Sequence, residues 1–443
     1  MKKLFGTDGI RGIAGEYPLT KDIIYNLGRA ISEKLNIKKI LVGDDSRESS
    51  EWILKTLADG FASSNIELDY TGTITTPALA KIVSLDEEYD GGIMISASHN
   101  PTEFNGIKIL NSKGMKLSDS IEVKLEKKIF ELLNKNGEPY PKGKIVRVNK
   151  KAFYIDFIRR NFPRYEKHLK IVVDCSNGGA SDLTEILFKE LGYNVVMINC
   201  APDGKNINKN CGSLYPEKVA EKVKKEEAFA GIAFDGDGDR VILVDEKGEI
   251  LNGDILLYIL ARYYSKNGYK GAIVGTIMSN LSLEEKVKNM GLDFHRTPVG
   301  DKYVWEKMVE TNSLIGGETS GHIILRDYHI TGDGIIVALK ILEIAEKTGK
   351  RLSEYREEIP LAHQIMENIP VKKKIPLDKL FSIKEMKEKS EKLFGKNVRM
   401  IIRYSGTEPL LRVMIEGKDE RKIKEFVENY SNKIKNEIEE VVS

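Results

Sequence analysis

Asp235, Asp237 and Asp239 alternate with glycine in FDGDGDR, directly after the apolar run AGIAF. Glycines admit unusual backbone angles, so three carboxylates on such a loop can converge on one point. Hard oxygen ligands at this density suit a divalent cation, Mg²⁺ above all, with a phosphate oxygen or water completing the shell. A calcium EF-hand also spaces carboxylates this way, and Glu246 falls at the twelfth position of such a loop. That reading fails because Arg240 occupies the sixth position, which demands glycine, and VILV continues as strand. A solvated acidic turn is the plain alternative.

Ser98 and His99 follow the apolar GGIMIS stretch, and Pro101 closes the turn. A serine hydroxyl is a weak nucleophile unless a base or metal activates it, and a phosphoserine carries a charge of roughly −1.5 to −2 that needs compensation. A cation held by the three aspartates supplies that compensation. Ser98 is therefore a candidate phosphoryl carrier that also ligates the metal, with His99, Asn100 and Lys108 offering hydrogen bonds and charge. Adjacent Ser and His do not make a hydrolase triad, and no GxSxG elbow surrounds the serine. One rival stays open. FDGDG imitates the nucleophile loop of the haloacid-dehalogenase phosphotransferases, with Asp239 standing where those proteins have Thr.

Two further loops complete the set. GGETSGH presents Glu318, Ser320 and His322 between glycines, a mixture of acceptors and donors suited to sugar hydroxyls. RYSGTEPLLR presents Arg403, Ser405, Thr407 and Arg412 around Gly406, the guanidinium, hydroxyl and backbone N–H groups that a phosphate dianion needs. A phosphosugar held between a phosphate anchor and a phosphoryl donor is the demand of a mutase.

These loops must be positioned by elements, and the sequence repeats them. KKILVGDDSRES, LKIVVDCSNGGAS and KGAIVGTIMSNLS are each an apolar run ending in a Ser-containing turn. A helical stripe follows each: Ile53, Leu57 and Phe61; Leu183, Ile186, Leu187 and Leu191; Leu283, Val287 and Met290, with Ser282 and Glu285 spaced as a capping box. Then come a second strand, a second helix and a third strand, and the third strands run into SASHNP, GDGDR and TSGH. Alternation of strand and helix predicts α/β layers whose ligands sit at the carboxyl ends of the strands. MENIPVKKKIPLDK reads as a linker, and beyond it a helix, the strand pair VRMIIRY and LLRVMIEG, and a charged amphipathic helix form a smaller α+β domain.

Composition sets the outer bounds. A chain of 443 residues, 41% hydrophobic, can bury several cores. Lys and Arg number 69 against 67 Asp and Glu, a net +2, so no global field draws it to nucleic acid or to a membrane. Cys175, Cys200 and Cys211 build no disulfide framework, MKKLFGTDGI lacks the apolar core of a signal peptide, and no apolar run approaches ~18 residues. The expectation is a cytoplasmic protein.

FGTDGIRG, ISASHNP, FDGDGDR, GGETSGH and RYSGTEP resemble, in order and spacing, the α-D-phosphohexomutases over nearly the whole chain. The resemblance implies three similar α/β mixed-sheet domains and a smaller C-terminal domain, heart-shaped around a central cleft, with boundaries at 1–149, 150–250, 251–366 and 367–443. By position it makes Ser98 the phosphoserine, Asp235, Asp237 and Asp239 the Mg²⁺ ligands, and Glu318, Ser320 and His322 the sugar contacts. Arg403, Ser405, Gly406, Thr407 and Arg412 become the phosphate loop, and Arg11, Lys108 and Arg240 line the reaction centre, Lys108 handling a proton. FGTDGIRG, NINKNCGSLYPE, VGDKYV and SGTEPLLRVMIEG are most similar to the branch that acts on glucosamine phosphates for cell-envelope precursors. The runner-up is the branch acting on mannose and glucose phosphates. Thr319 stands where the first branch commonly has Gln and the second often has Met. The resemblance leaves room for a homodimer.

Overall fold

The computed structural model describes residues 3–6, 8–62, 64–134, 141–165, 168–395, 398–405 and 409–442. The repeat seen in the sequence is a repeat of sheet order. The strand Lys39–Asp44 lies parallel to Glu67–Thr73 on one side and Gly91–Ile95 on the other, and Gly91–Ile95 pairs antiparallel with Phe104–Asn111. Lys170–Asp174 is flanked in the same way by Asn194–Ile198 and Ala230–Phe234, the latter antiparallel to Val241–Val244. Ala272–Thr276 is flanked by Asp293–Thr297 and Ile315–Gly317, the latter antiparallel to Ile323–Leu325. These are mixed sheets, as the resemblance implied.

The first strand of each copy ends on the same turn. Asp44, Asp174 and Thr276 each accept, on a side-chain oxygen, the backbone N–H two residues further on, at 2.7, 2.8 and 3.1 Å. A short polar side chain that captures the chain after a strand stops the ladder and turns the backbone toward the following helix. The helices then bury one stripe against their sheets. Ile53, Leu54 and Leu57 pack with Ile40, Val42, Ile93 and Ile95; Val219 and Val223 pack with Val172 and Val244; Val304 and Met308 pack with Val274 and Ile324.

Two helical details differ from expectation. Ile186 is 46% exposed, because the inward stripe of Ser181–Glu190 is Leu183, Thr184, Leu187 and Phe188. The predicted capping box is displaced: Asn280 Oδ1 accepts the Ser282 N–H at 3.0 Å, so Asn280 caps Leu281–Asn289, and the Ser282 hydroxyl donates to Pro360 O.

The chain divides into two compact units, residues 1–278 with 290–358, and residues 279–289 with 359–443. In the second, His363–Pro370, Leu410–Gly417 and Val398–Tyr404 form a three-stranded antiparallel sheet. Phe381–Phe394 and Glu420–Val442 contribute Ile383, Met386, Val427 and Ile434 to the core on it. The linker reading is therefore corrected over its first part, since residues 363–370 are a strand. It occupies an edge and keeps most of its side chains exposed, which removes the hydrophobic alternation that would have announced it.

Candidate active site

Ser98 follows the strand Gly91–Ile95 in a left-handed backbone conformation, φ 53°, uncommon for a residue with a side chain. Several groups hold it there. Its N–H donates to Ser96 Oγ at 2.8 Å, and Ser96 in turn donates to Asp45 Oδ2 at 2.6 Å. Arg47, its side chain wholly buried, pairs with Asp45 at 3.0 Å. Its guanidinium also donates to the carbonyls of Ser98 (3.0 Å), Asn100 (2.8 Å), Phe104 (2.8 Å) and Pro101. The Asn208 amide, from NINKN in the second copy, donates to the carbonyls of Ser98 and Asn100 at 2.8 and 3.0 Å. A loop tied by its carbonyls leaves its side chain free for chemistry. The Ser98 hydroxyl donates to Asp235 Oδ2 at 2.7 Å and lies 3.2 Å from His99 Nδ1.

The three aspartates converge as expected: all are buried, and one ligand atom from each lies within 4.8 Å of the others. Gly236 permits the close approach to Ser98, because a Cβ there would come within 2.6 Å of Ser98 O. Burial and the adjacent charges of Asp239 and Asp237 raise the Asp235 carboxyl well above the usual range. Asp239 is driven the other way: burial would raise it, but His322, Lys108 and Arg240 hold it well below. Asp237 Oδ2 accepts from Thr76 Oγ1 at 2.5 Å and from Lys108 at 2.8 Å. Its Oδ1 is buried and has no hydrogen-bond donor among the described residues. A buried carboxylate oxygen without a donor is costly, and inside a cluster of three carboxylates a divalent cation would satisfy it. The residues present fit such an ion.

Positive groups surround the cluster. Lys108 is buried and touches Asp237 (2.8 Å), Asp8 (2.9 Å) and Asp239 (3.7 Å). Burial alone would lower its pKa, but these three carboxylates raise it above the ordinary value. Arg11 pairs with Asp8 at 2.6 Å, and Arg240 Nε lies 3.9 Å from Asp239. Burial, Arg240 and Arg11 lower His99 to about 4, leaving it neutral.

The sugar-loop candidates reach the same region. His322 Nδ1 lies 3.6 Å from Asp239 Oδ1. Glu318 accepts the Gly300 N–H at 2.9 Å and faces the Ser320 hydroxyl at 3.4 Å. Thr319 turns elsewhere: its hydroxyl donates to the buried Asp254 in the first turn of Gly253–Lys266, at 2.9 Å. In the second unit Arg403 and Arg412 lie directly opposite each other on adjacent antiparallel strands. Opposed like charges destabilise a sheet unless an anion joins them, which suits a phosphate. The Ser405 N–H donates to Leu410 O at 2.8 Å. Gly406 and Thr407 lie outside the described residues.

Sequence reasoning missed Asp8, Arg47, Thr76, Lys116 and Asn208. Three of them stand in motifs quoted above, FGTDGIRG, GDDSRES and NINKN, but the partners that matter are distant in sequence.

Comparison with known proteins gives a consistent result. Family profiles described as phosphoglucomutase/phosphomannomutase alpha/beta/alpha domains I, II and III match residues 2–136, 152–248 and 252–362, and the C-terminal domain profile matches 366–433. The phosphoglucosamine mutase of Caldicellulosiruptor saccharolyticus is 43% identical over 99% of this chain and 100% of its own. That of Solibacter usitatus is 39% identical over the same shares. Among solved structures, a phosphoglucomutase/phosphomannomutase family protein from Burkholderia thailandensis superposes with TM-score 0.80 at 24% identity, covering 99% of this chain and 98% of that one. The Aspergillus fumigatus N-acetylphosphoglucosamine mutase, in complex with GlcNAc-6P and magnesium, gives 0.68 at 16% identity, covering 98% and 96%.

Proposed function

This chain belongs to the phosphoglucomutase/phosphomannomutase family, and on that premise we propose that it interconverts glucosamine 6-phosphate and glucosamine 1-phosphate. The relatives named phosphoglucosamine mutase, matched from end to end, support the substrate. One observation carries the reaction: the Ser98 hydroxyl lies 2.7 Å from Asp235, inside a carboxylate cluster bordered by Lys108.

Asp235, Asp237, Asp239 and Ser98 would hold Mg²⁺, which supplies positive charge against the phosphoryl oxygens. In the forward direction the Oγ–P bond of phospho-Ser98 breaks as the free hydroxyl of the bound sugar phosphate bonds to phosphorus, and the hydroxyl proton passes to the departing Ser98 Oγ, giving a 1,6-bisphosphate and the free serine. The bisphosphate turns over, its other phosphoryl group passes to Ser98, and the isomer leaves. Lys108, charged and buried, donates toward the transferring group. Arg47 and Asn208 keep the Ser98 backbone in place through both transfers. Phosphoryl transfer leaves the protein mainly positioning and charge neutralisation to do, and this site is built for both. Glu318, Ser320 and His322 take the sugar hydroxyls, and Arg403, Ser405, Gly406, Thr407 and Arg412 take the phosphate that is not reacting.

Ser98→Ala is expected to abolish isomerisation in a folded protein, read by coupled assay alongside circular dichroism. Turnover near the wild-type rate would refute the mechanism. The substrate is tested separately by kcat/KM on glucosamine, glucose and mannose phosphates under one set of conditions, and a higher value on either 2-hydroxy sugar would overturn that assignment.

A further inference from the structure

Resting on the mutase reading, we infer that Lys116 is a positioning residue that ties the phosphoryl-transfer groups to the sugar loop. Lys116 follows the strand Phe104–Asn111, which carries Lys108, and a tight turn returns it to a bridge with Leu110. In that turn the Asn111 N–H donates to Met115 O at 2.8 Å and the Gly114 N–H to Asn111 O at 2.9 Å. Gly114 has φ 72°, and a Cβ there would come within 2.2 Å of Ala80 O, so the turn is pressed onto the helix Thr76–Leu85. The root of Lys116 is thereby fixed.

Its ammonium lies 2.5 Å from Asp8 Oδ1 and 2.5 Å from Asp301 Oδ2. The two carboxylates belong to different machinery. Asp8 accepts Arg11 and Lys108 on its other oxygen at 2.6 and 2.9 Å, and Lys108 reaches Asp237. Asp301 opens the helix Asp301–Glu310 immediately after Gly300, whose N–H holds the Glu318 carboxylate at 2.9 Å. An unbroken series of ionic and hydrogen-bonded contacts thus runs from Asp237 through Lys108, Asp8, Lys116 and the 300–301 backbone to Glu318. The three side chains at its centre are only 22, 27 and 20% exposed for Asp8, Lys116 and Asp301, unlike a solvent-screened surface pair. Without Lys116, Asp301 loses the cation that fixes the start of its helix, and Gly300 no longer presents its N–H to Glu318 at a set place.

The test uses the full-length enzyme and whichever hexose phosphate the wild type isomerises, so a wrong sugar assignment leaves it intact. Lys116→Met is expected to raise KM about tenfold and to change kcat less than about threefold, the signature of lost ground-state positioning. Lys116→Arg should restore KM to within about threefold. Asp301→Asn should raise KM as Lys116→Met does, and the double variant should rise no further, because Lys116 reaches Glu318 through Asp301. A lowered melting temperature with unchanged KM would reduce Lys116 to a structural ion pair and overturn the inference. Additive KM effects, or an Arg variant as impaired as Met, would overturn it equally. Should Lys116→Met fail to fold, Asp301→Asn decides alone, an unchanged KM being the refuting result.

Discussion

His329 donates from Nε2 to Pro77 O at 2.9 Å and accepts the Ile330 N–H on Nδ1 at 2.8 Å, which commits both ring nitrogens in the neutral form. A second proton would meet the Ile330 N–H. Burial, with the charge of Lys81 nearby, lowers this imidazole to about 3 from an ordinary 6.5. The unfolded chain therefore binds a proton that the folded chain refuses. The resulting stability is fully present above pH 6.5 and is lost as pH falls toward 3, by roughly 3–5 kcal/mol across the window. Asp333 acts in the opposite sense, since burial raises it to about 6 against an ordinary 3.8, so its contribution falls as pH rises between those values. Wild type compared with His329→Gln in chemical denaturation should show an advantage at pH 7 that shrinks steadily toward pH 4; a constant difference would contradict the neutral assignment. Thr319 makes a second residue-scale case. Its hydroxyl is spent on Asp254, so Thr319→Val should cost about 1–3 kcal/mol in stability. It should also leave the ratio of kcat/KM for amino and 2-hydroxy sugars within about twofold. A large change in that ratio would return Thr319 to the substrate. Ser98 was legible because a hydroxyl stood beside an imidazole after an apolar strand, and the three aspartates because they alternated with glycine after another. Arg47, 51 positions from Ser98, was not, since what it binds is carbonyl oxygen, which every residue has.

At the scale of elements, the site is a set of strand-end loops brought to near contact. Gly236 is a point of close approach between the metal-ligand loop and the serine loop. A methyl group there meets a backbone oxygen at 2.6 Å, and backbone, unlike a flexible side chain, cannot swing aside. Gly236→Ala is expected to lower kcat about 100-fold, as a displacement near 1 Å can, while far-ultraviolet circular dichroism stays unchanged. An alanine variant with wild-type kcat would show that the two loops tolerate separation. The elements themselves were largely legible, because strand and helix periods alternate cleanly in all three copies. The strand His363–Pro370 was missed because an exposed edge strand carries Gln364, Glu367 and Asn368 in place of an apolar alternation, and Pro370 ends it. The displaced cap at Asn280 was missed because two capping-competent residues lie two positions apart, and only tertiary bonding to Pro360 decides between them.

Over the whole molecule, three copies share one sheet order, yet each places different chemistry on its third strand's loop: a hydroxyl after Ile95, carboxylates after Phe234, a mixed polar set after Gly317. Among the described residues no helix is long and apolar enough to cross a membrane. The order of the motifs along the chain was enough to infer that the copies cooperate. Which copy holds which loop could not be read, because that depends on contacts made across sequence separations above 100 residues, as between Asn208 and Ser98. Asn208 lies in the second copy and grips the backbone of the serine that the first copy owns. Duplication ordinarily frees a spare module to drift, but here the modules have become mutual tenants. A lineage that altered the second copy would have had to keep faith with the reactive loop of the first.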